Sequence, residues 1–205
     1  MDALSDEVAI EQCRQGDIRG LETLVRRYQV AAVRLAYLLT GNREQAQDIV
    51  QESFLQAFHA IHQFRVGQPF APWYHRIVIN LAHAYLRAPG QRRERALDAA
   101  HAERPTTDPH AQPDLVAEQG ETHRAILAAL SELSETHRDV IVLRYYLGYT
   151  VGEIASLLHR PNTAVRQRLT AGRKALEAII RQRYPWLIGE DCSLPALSPS
   201  FAEEK

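Results

Sequence analysis

Apolar residues recur at helical spacing through most of the chain, which predicts an all-α protein. Ser5 is placed to cap a short helix running through Cys13 and closed by Gly16. A longer helix follows from about Ile18 to Leu39, with Leu21, Leu24, Val25, Tyr28, Ala32, Leu35 and Leu39 on one side. Thr40, Gly41 and Asn42 make the break. Asn42 with Gln45 opens a third helix whose inward stripe is Ala46, Ile49, Val50, Phe54, Ala57, Phe58 and Ile61. Residues 62 to 70 cannot stay helical through Gly67 and Pro69, so they form a loop carrying Phe64 and Phe70. Pro72 starts a further helix, in which Trp73, Ile77, Leu81, Ala84 and Tyr85 are expected to look inward.

The second half carries the most specific punctuation. A segment with Val140, Ile141, Leu143 and Leu147 stops at Gly148, a residue suited to the left-handed closing turn of a helix. Thr150 and Glu153 form a capping box that starts a short helix with Ile154, Ala155, Leu157 and Leu158. His159, Arg160 and Pro161 break it, and Pro161 suits the first turn of the next helix. Laid out at about 100° per residue, that last helix separates into two faces from Thr163 onward. Val165, Leu169, Gly172 and Leu176 face inward, and Thr163, Gln167, Thr170 and Lys174 lie opposite, flanked by Arg166, Arg168 and Arg173. A short helix, a tight turn and a helix with a polar, basic outer face make a helix-turn-helix, whose last helix lies in the major groove. There arginine and glutamine reach base edges while lysine and the small hydroxyls hold phosphates. A basic surface helix in a plain bundle would share the charge but not the box, the turn and the two faces together.

Two further rows stand out on the earlier helices. Asp48, Gln51, Glu52 and Leu55 share the face opposite the apolar stripe, which suits either an ordinary solvated face or a partner offering basic residues and an apolar notch. Arg76, Asn80, His83 and Arg87 repeat along another side of the helix after Pro72. Beside an aromatic-bearing loop, such a basic and amide row suits single-stranded DNA, while Trp73 reads as core rather than as a stacking platform.

At 205 residues and 45% apolar content, two small helical domains fit better than one large one. No stretch is long enough to cross a membrane, and the acidic N-terminus lacks the apolar run of a secretion signal, which points to the cytoplasm. Cys13 and Cys192 fit a reducing compartment. The histidines have no ligand-like spacing, and no phosphate loop or nucleophile elbow occurs, so neither a metal, another cofactor nor an enzymatic activity is expected. The formal net charge of −1 is unusual for a protein that would bind DNA unaided, because phosphate neutralisation supplies most non-specific affinity. Charge is also segregated. The segment from Arg160 to Arg183 opposes a single acid, Glu177, to its cations, whereas Asp98 to Glu121 is acidic around Arg104.

AsnArgGluGlnAlaGlnAspIleValGlnGluSerPheLeu (42–55), PheXaaXaaTrpTyrHisArgIleValIleAsnLeu (70–81), AlaLeuSerGluLeuSerGluThrHisArgAspVal (129–140) and the helix-turn-helix together resemble an extracytoplasmic-function (ECF) σ factor of the σ70 family, over roughly residues 8 to 180. The resemblance implies a σ2-like domain over 1–95, an acidic, proline-containing mobile linker over 96–123, with room for short helical ends, a σ4-like domain over 124–184 and a tail over 185–205. It implies that Asp48, Gln51, Glu52 and Leu55 hold the β′ clamp helices of core RNA polymerase. Phe64, Phe70, Arg76, Asn80, His83 and Arg87 then open and read the −10 element. Thr163, Arg166, Gln167, Arg168, Thr170, Arg173 and Lys174 read the −35 element as duplex, and the preceding helices of that domain face the β flap. An anti-σ factor is a further expected partner. The chain departs from the family pattern at Asn162, Gln167 and Gly172, where many members have glycine, serine, and alanine or arginine.

The sequence therefore reads as a promoter-specificity subunit of RNA polymerase without catalysis of its own; the alternative is a stand-alone helix-turn-helix regulator that binds duplex DNA as a dimer. The tail after Tyr184 is either a disordered end or a docked segment. In the second case Trp186, Leu187 and Ile188 fill an apolar groove, and Glu190 and Asp191 sit near the basic recognition helix.

Overall fold

A computed structural model of the chain describes residues 5–65, 67–88 and 113–187, with only the backbone of 113–120. The described residues form eight α-helices and contain no strand.

Helix α1 (Asp6–Arg14) starts at Ser5, whose hydroxyl accepts from the Val8 amide at 3.4 Å. Helix α2 (Ile18–Thr40) starts at Asp17, whose carboxylate accepts from the Arg19 amide. It ends at Gly41 with φ 76°, a conformation in which only glycine is unstrained. Asn42 then accepts from the Gln45 amide at 3.1 Å and opens α3 (Arg43–Ala60). After one tight turn (Ile61–Gln63) and a loop, α4 (Phe70–Arg87) completes the first domain. All four helix starts and the glycine stop are thus close to where the spacing puts them.

The first core is layered by α2, α3 and α4. Leu24, Leu35 and Leu39 meet Ile49, Val50 and Phe54 from one side and Tyr74 and Val78 from the other, all of them buried. Tyr74 stacks on Phe54 with ring centroids 4.5 Å apart, and its hydroxyl is 2.8 Å from Ser53 Oγ, so the one polar atom of that ring is satisfied where water is absent. The inward side of α4 is rotated from the expected one. His75, Ile79, Ala82 and Leu86 are buried beside Tyr74 and Val78. Trp73, Ile77, Leu81 and Tyr85 are half-buried at its margin, and Ala84 is exposed. The apolar periodicity is nearly continuous around this helix, so the apolar positions alone do not fix which arc is deepest.

The C-terminal end of the expected linker is helical over more than one turn. Helix α5 (Pro113–Glu132) begins inside the segment expected to be a mobile tether, with Pro113 at the first helical position, where its missing N–H is not needed. Pro105 and Pro109, with the rest of 89–112, lie outside the described residues.

Helix α6 (Glu135–Ile141) widens at its end into a π-helical turn (Val142–Tyr146), so that the Leu147 amide reaches back five residues to the Val142 carbonyl at 3.3 Å. Gly148, with φ 72°, then turns the chain into Thr150 and α7 (Val151–Leu158). Helix α8 (Asn162–Arg183) crosses beneath, burying Val165, Leu169, Leu176 and Ile180 against Val140, Ile141, Leu143 and Ile154. At Gly172, α8 approaches α6 closely: a β-carbon there would lie 3.2 Å from Ile141 Cγ1. The chain ends its described course in one tight turn (Pro185–Leu187), where Leu187 packs on the core but Trp186 is 52% exposed. Leu187 is half-buried while Trp186, expected to dock beside it, is not, and Ile188, Glu190 and Asp191 lie outside the described residues.

Candidate nucleic-acid interfaces

The helix-turn-helix is built by side chains that cap each break. Thr150 Oγ1 accepts from the Glu153 amide at 3.3 Å, and the Glu153 carboxylate accepts from the Thr150 amide at 2.8 Å, which satisfies two of the orphan donors at the start of α7. His159 ends α7 in the left-handed conformation (φ 50°), and the Arg160 amide closes on the Ala155 carbonyl at 2.9 Å. Pro161 then extends the chain into α8. With Val165, Leu169 and Gly172 buried below, Thr163, Arg166, Gln167, Thr170, Arg173 and Lys174 are all exposed, and Arg168 is half-exposed at the edge. The Thr170 hydroxyl donates to the Arg166 carbonyl at 3.0 Å, leaving its oxygen lone pairs outward. All seven residues expected to face the −35 element thus lie on one accessible strip. Its charge is positive and its donors point outward, which suits phosphates and the acceptor edges of guanine.

On α4 the expected −10 row divides. Asn80 and Arg87 are exposed and Arg76 half-exposed, one turn apart along the helix. Phe64 and Phe70, expected to offer ring faces to unstacked bases, are only 3% and 2% exposed. Phe64 packs edge-on against Phe70 and Trp73, and Phe70 stacks on Tyr74, while the Phe64 carbonyl accepts from Arg14 at 2.5 Å. The rings anchor the loop to the core instead of presenting it, because burying two phenyl rings outweighs leaving them in water. Among the described residues of the loop, His62, Gln63, Arg65, Gly67, Gln68 and Pro69 are exposed.

The acid–amide row of α3 lies as the periodicity places it. Asp48, Gln51, Glu52 and Leu55 are all exposed on the side away from Ile49, Val50 and Phe54, and Leu55 leaves 52% of its surface in solvent. Glu52 accepts from Gln56 at 3.1 Å, one turn on. Two carboxylates around an exposed leucine leave an anionic surface with an apolar centre.

The fourth member of the −10 row, His83, faces the other domain. Its Nε2 is 3.0 Å from Asp139 Oδ1 of α6, and the two side chains are 19% and 6% exposed. The bond to Asp139 pushes the His83 pKa above its usual value, opposed by burial and by Arg87 and aided by the carboxylates of Asp139 and Glu135. Two turns earlier, His75 Nδ1 is 2.8 Å from the Tyr149 hydroxyl, and burial lowers the His75 pKa to about 4. Arg138 is buried and fans its guanidinium across the carbonyls of Leu130, Ser131 and Leu133 and, at 2.5 Å, Leu39. It thereby caps the C-terminal ends of α5 and α2 together, one from each domain. His75, Arg138, Asp139 and Tyr149 were absent from the sequence-derived sites. The one signal was a charged pair, Arg138–Asp139, directly before the most apolar run of its helix.

Among the described residues no group of three His, Cys, Asp or Glu is arranged to hold a metal, and no helix is long and apolar enough to cross a membrane.

Fold and exposed rows together define a two-domain helical DNA-binding protein. Residues 24–93 match the family model of Sigma-70 region 2, and residues 123–176 that of Sigma-70 region 4. The ECF RNA polymerase sigma-E factors of Escherichia coli K12 and Salmonella typhimurium LT2 are each 32% identical over 181 residues, covering 85% of this chain and 93% of theirs. The solved complex of CnrH with the cytosolic domain of CnrY contains a chain of similar fold (TM-score 0.65, 26% identity), covering 89% of this chain and 99% of that one. The sigma factor RpoE of Bartonella quintana, solved with the anti-sigma factor NepR, shares the fold at TM-score 0.58 and 18% identity over 78% of this chain and 96% of that one. The chain belongs to the ECF σ factors of the σ70 family, alternative σ factors that direct promoter-specific transcription initiation.

Proposed function

We propose that this σ factor divides its work among three surfaces and performs no chemistry itself. The α3 row of Asp48, Gln51, Glu52 and Leu55 docks on a basic, apolar-notched surface of core RNA polymerase, the β′ clamp helices. Exposed Asn80, Arg87 and Arg76 read and hold the opened −10 element. The outer strip of α8, from Thr163 to Lys174, reads the −35 duplex, with the helices before it against the β flap. A cytoplasmic location follows from those partners. An anti-σ factor is a natural antagonist, as with the sigma factor RpoE of Bartonella quintana, solved with the anti-sigma factor NepR.

The observation that carries this reading is the opposite chemistry of the two exposed rows: carboxylates and a leucine on α3, cations and amides on α8. A lone DNA reader has no use for the first, and the net charge of −1 leaves non-specific DNA affinity low. Run-off transcription from a genomic library with core polymerase, with and without the protein, tests it. New promoter-specific transcripts are expected only when both are present, with weak DNA binding by the protein alone. Tight, sequence-specific binding by an isolated dimer would favour the stand-alone regulator instead.

A further inference from the structure

Helix α1 belongs to none of the three surfaces, yet it grips both ends of the loop that leads into α4. Near its N-terminus Asp6 bonds Arg27 and the Tyr28 hydroxyl, and the Tyr28 ring lies 5.2 Å from that of Phe70, where the loop enters α4. At its C-terminus Arg14 Nη2 donates to the Phe64 carbonyl at 2.5 Å, where the loop leaves the tight turn. The guanidinium is sunk between the two: Arg14 Nε is buried with no hydrogen-bond partner among the described residues. An arginine at the end of a short helix ordinarily keeps its donors in water, so this one is committed to a single carbonyl.

That carbonyl decides how the next residue is presented. The Phe64 amide closes on the Ile61 carbonyl at 3.2 Å, and its backbone is extended (φ −67°, ψ 131°). In a planar trans peptide the C=O and the following N–H point in opposite directions. With the Phe64 carbonyl turned in to Arg14, the Arg65 amide is turned away from α1, and no described residue accepts from it. Beyond it the Gln68 amide returns to the Arg65 carbonyl at 3.3 Å, so Arg65 is held on both sides with its amide open and its side chain exposed. We propose that Arg14 is a positioning residue for the −10 strand, and that the peptide it holds offers the Arg65 amide and guanidinium together to one backbone phosphate of the opened strand. A phosphate takes both donors at once, and a backbone N–H fixed in advance spends no ordering entropy on binding. This role rests on the assignment of α4 to the −10 element, and it adds to the row of Arg76, Asn80 and Arg87 a phosphate site on the loop before it.

Holoenzyme reconstituted from core polymerase and the full-length protein is titrated with a fluorescent single-stranded oligonucleotide of mixed sequence at several salt concentrations, with core polymerase alone as background. Arg65→Ala should weaken binding roughly tenfold and lower the log–log salt slope by about 0.7, the share of one phosphate on a single strand. Arg14→Met keeps the buried stem and removes the donor. It should keep its helix content by circular dichroism, weaken binding several-fold, and cost much less when Arg65→Ala is already present, because the two residues act on one phosphate. Equal losses in both backgrounds overturn the positioning role, since they come from elsewhere in the fold. Should Arg14→Met unfold, Arg14→Lys, which keeps a donor but not the planar fork, is put through the same comparison, and equal losses refute the role there too. Arg76→Ala with Asn80→Ala separates this site from the reading beneath it. If that pair weakens binding and Arg65→Ala does not, the phosphate site alone is refuted; if neither does, the assignment of α4 to the −10 element fails and the site with it.

Discussion

Gly20 shows how one side chain fixes the geometry of a domain. It lies in the first turn of α2, where α1 folds back against it, and a β-carbon there would be 2.2 Å from the Ala9 carbonyl oxygen and 2.9 Å from the Cys13 amide nitrogen. Neither neighbour is a flexible side chain, so α1 must move. Gly20→Ala should destabilise the first domain by about 1–3 kcal/mol, against the small gain that alanine brings to an open helix site, and urea unfolding will measure it. The residues proposed to read DNA behave oppositely, since Asn80 and Arg166 are exposed and support no core. Asn80→Ala should impair promoter opening, read by permanganate reactivity near −10, with unaltered stability. Arg166→Ala should weaken −35 binding by about 1–3 kcal/mol if the guanidinium makes a bidentate base contact, read by footprinting of the holoenzyme. Exchanged phenotypes would refute the assignment. The outer face of α8 was legible residue by residue because a buried stripe at helical spacing fixes what lies opposite. Phe64 and Phe70 were not, because an aromatic residue in a loop suits a stacking platform and a core anchor equally, and only the positions of Trp73 and Tyr74 decide between them.

At the scale of elements, helix starts were legible wherever a side chain performs the capping: Ser5, Asn42 and Thr150 each accept from the amide of the third helical residue. Where the cue is a proline, the reading is ambiguous. Pro113 looked like part of a tether and instead opens α5, because a proline interrupts a helix only when a turn precedes it. The rotation of α4 was missed for a related reason. Its buried arc includes His75, a polar residue whose partner, Tyr149, lies in the other domain. Helix α3 was read correctly because its two sides differ sharply, and that difference permits a test. Asp48→Arg with Glu52→Arg alters only solvated positions, at most about half a kcal/mol each in stability, whereas reversing two charges against a basic surface should abolish binding to core polymerase. Co-purification with core polymerase at the unaltered level, from a variant of normal melting temperature, would remove α3 from the interface.

At the scale of the molecule, the arrangement of the two domains was not legible at all, since periodicity within a helix carries no information on which helices of separate domains touch. The contacts of His83 with Asp139 and of His75 with Tyr149 form a seam that closes the two domains on each other, and they add a dependence on pH with two limbs of opposite sign. His83 is held more strongly protonated in the closed form by Asp139, so its contribution is complete below the ordinary histidine value near 6.5 and fades as pH rises through its raised pKa. His75 is held neutral by burial, with a pKa of about 4, so its contribution is complete above the ordinary value and is lost as pH falls from there toward 4. Closure should therefore be strongest slightly below neutrality and loosen on either side. The groups that face these rings, Asp139, Glu135 and Arg87 around His83 and Tyr149 beside His75, set the two limbs separately. Radius of gyration followed across the pH range should pass through a minimum in the unaltered protein. In Asp139→Asn the alkaline limb should flatten while the acid limb remains, because the amide gives His83 no charge to respond to and leaves His75 buried as before. A single monotonic curve in both proteins would mean that neither histidine titrates with the seam.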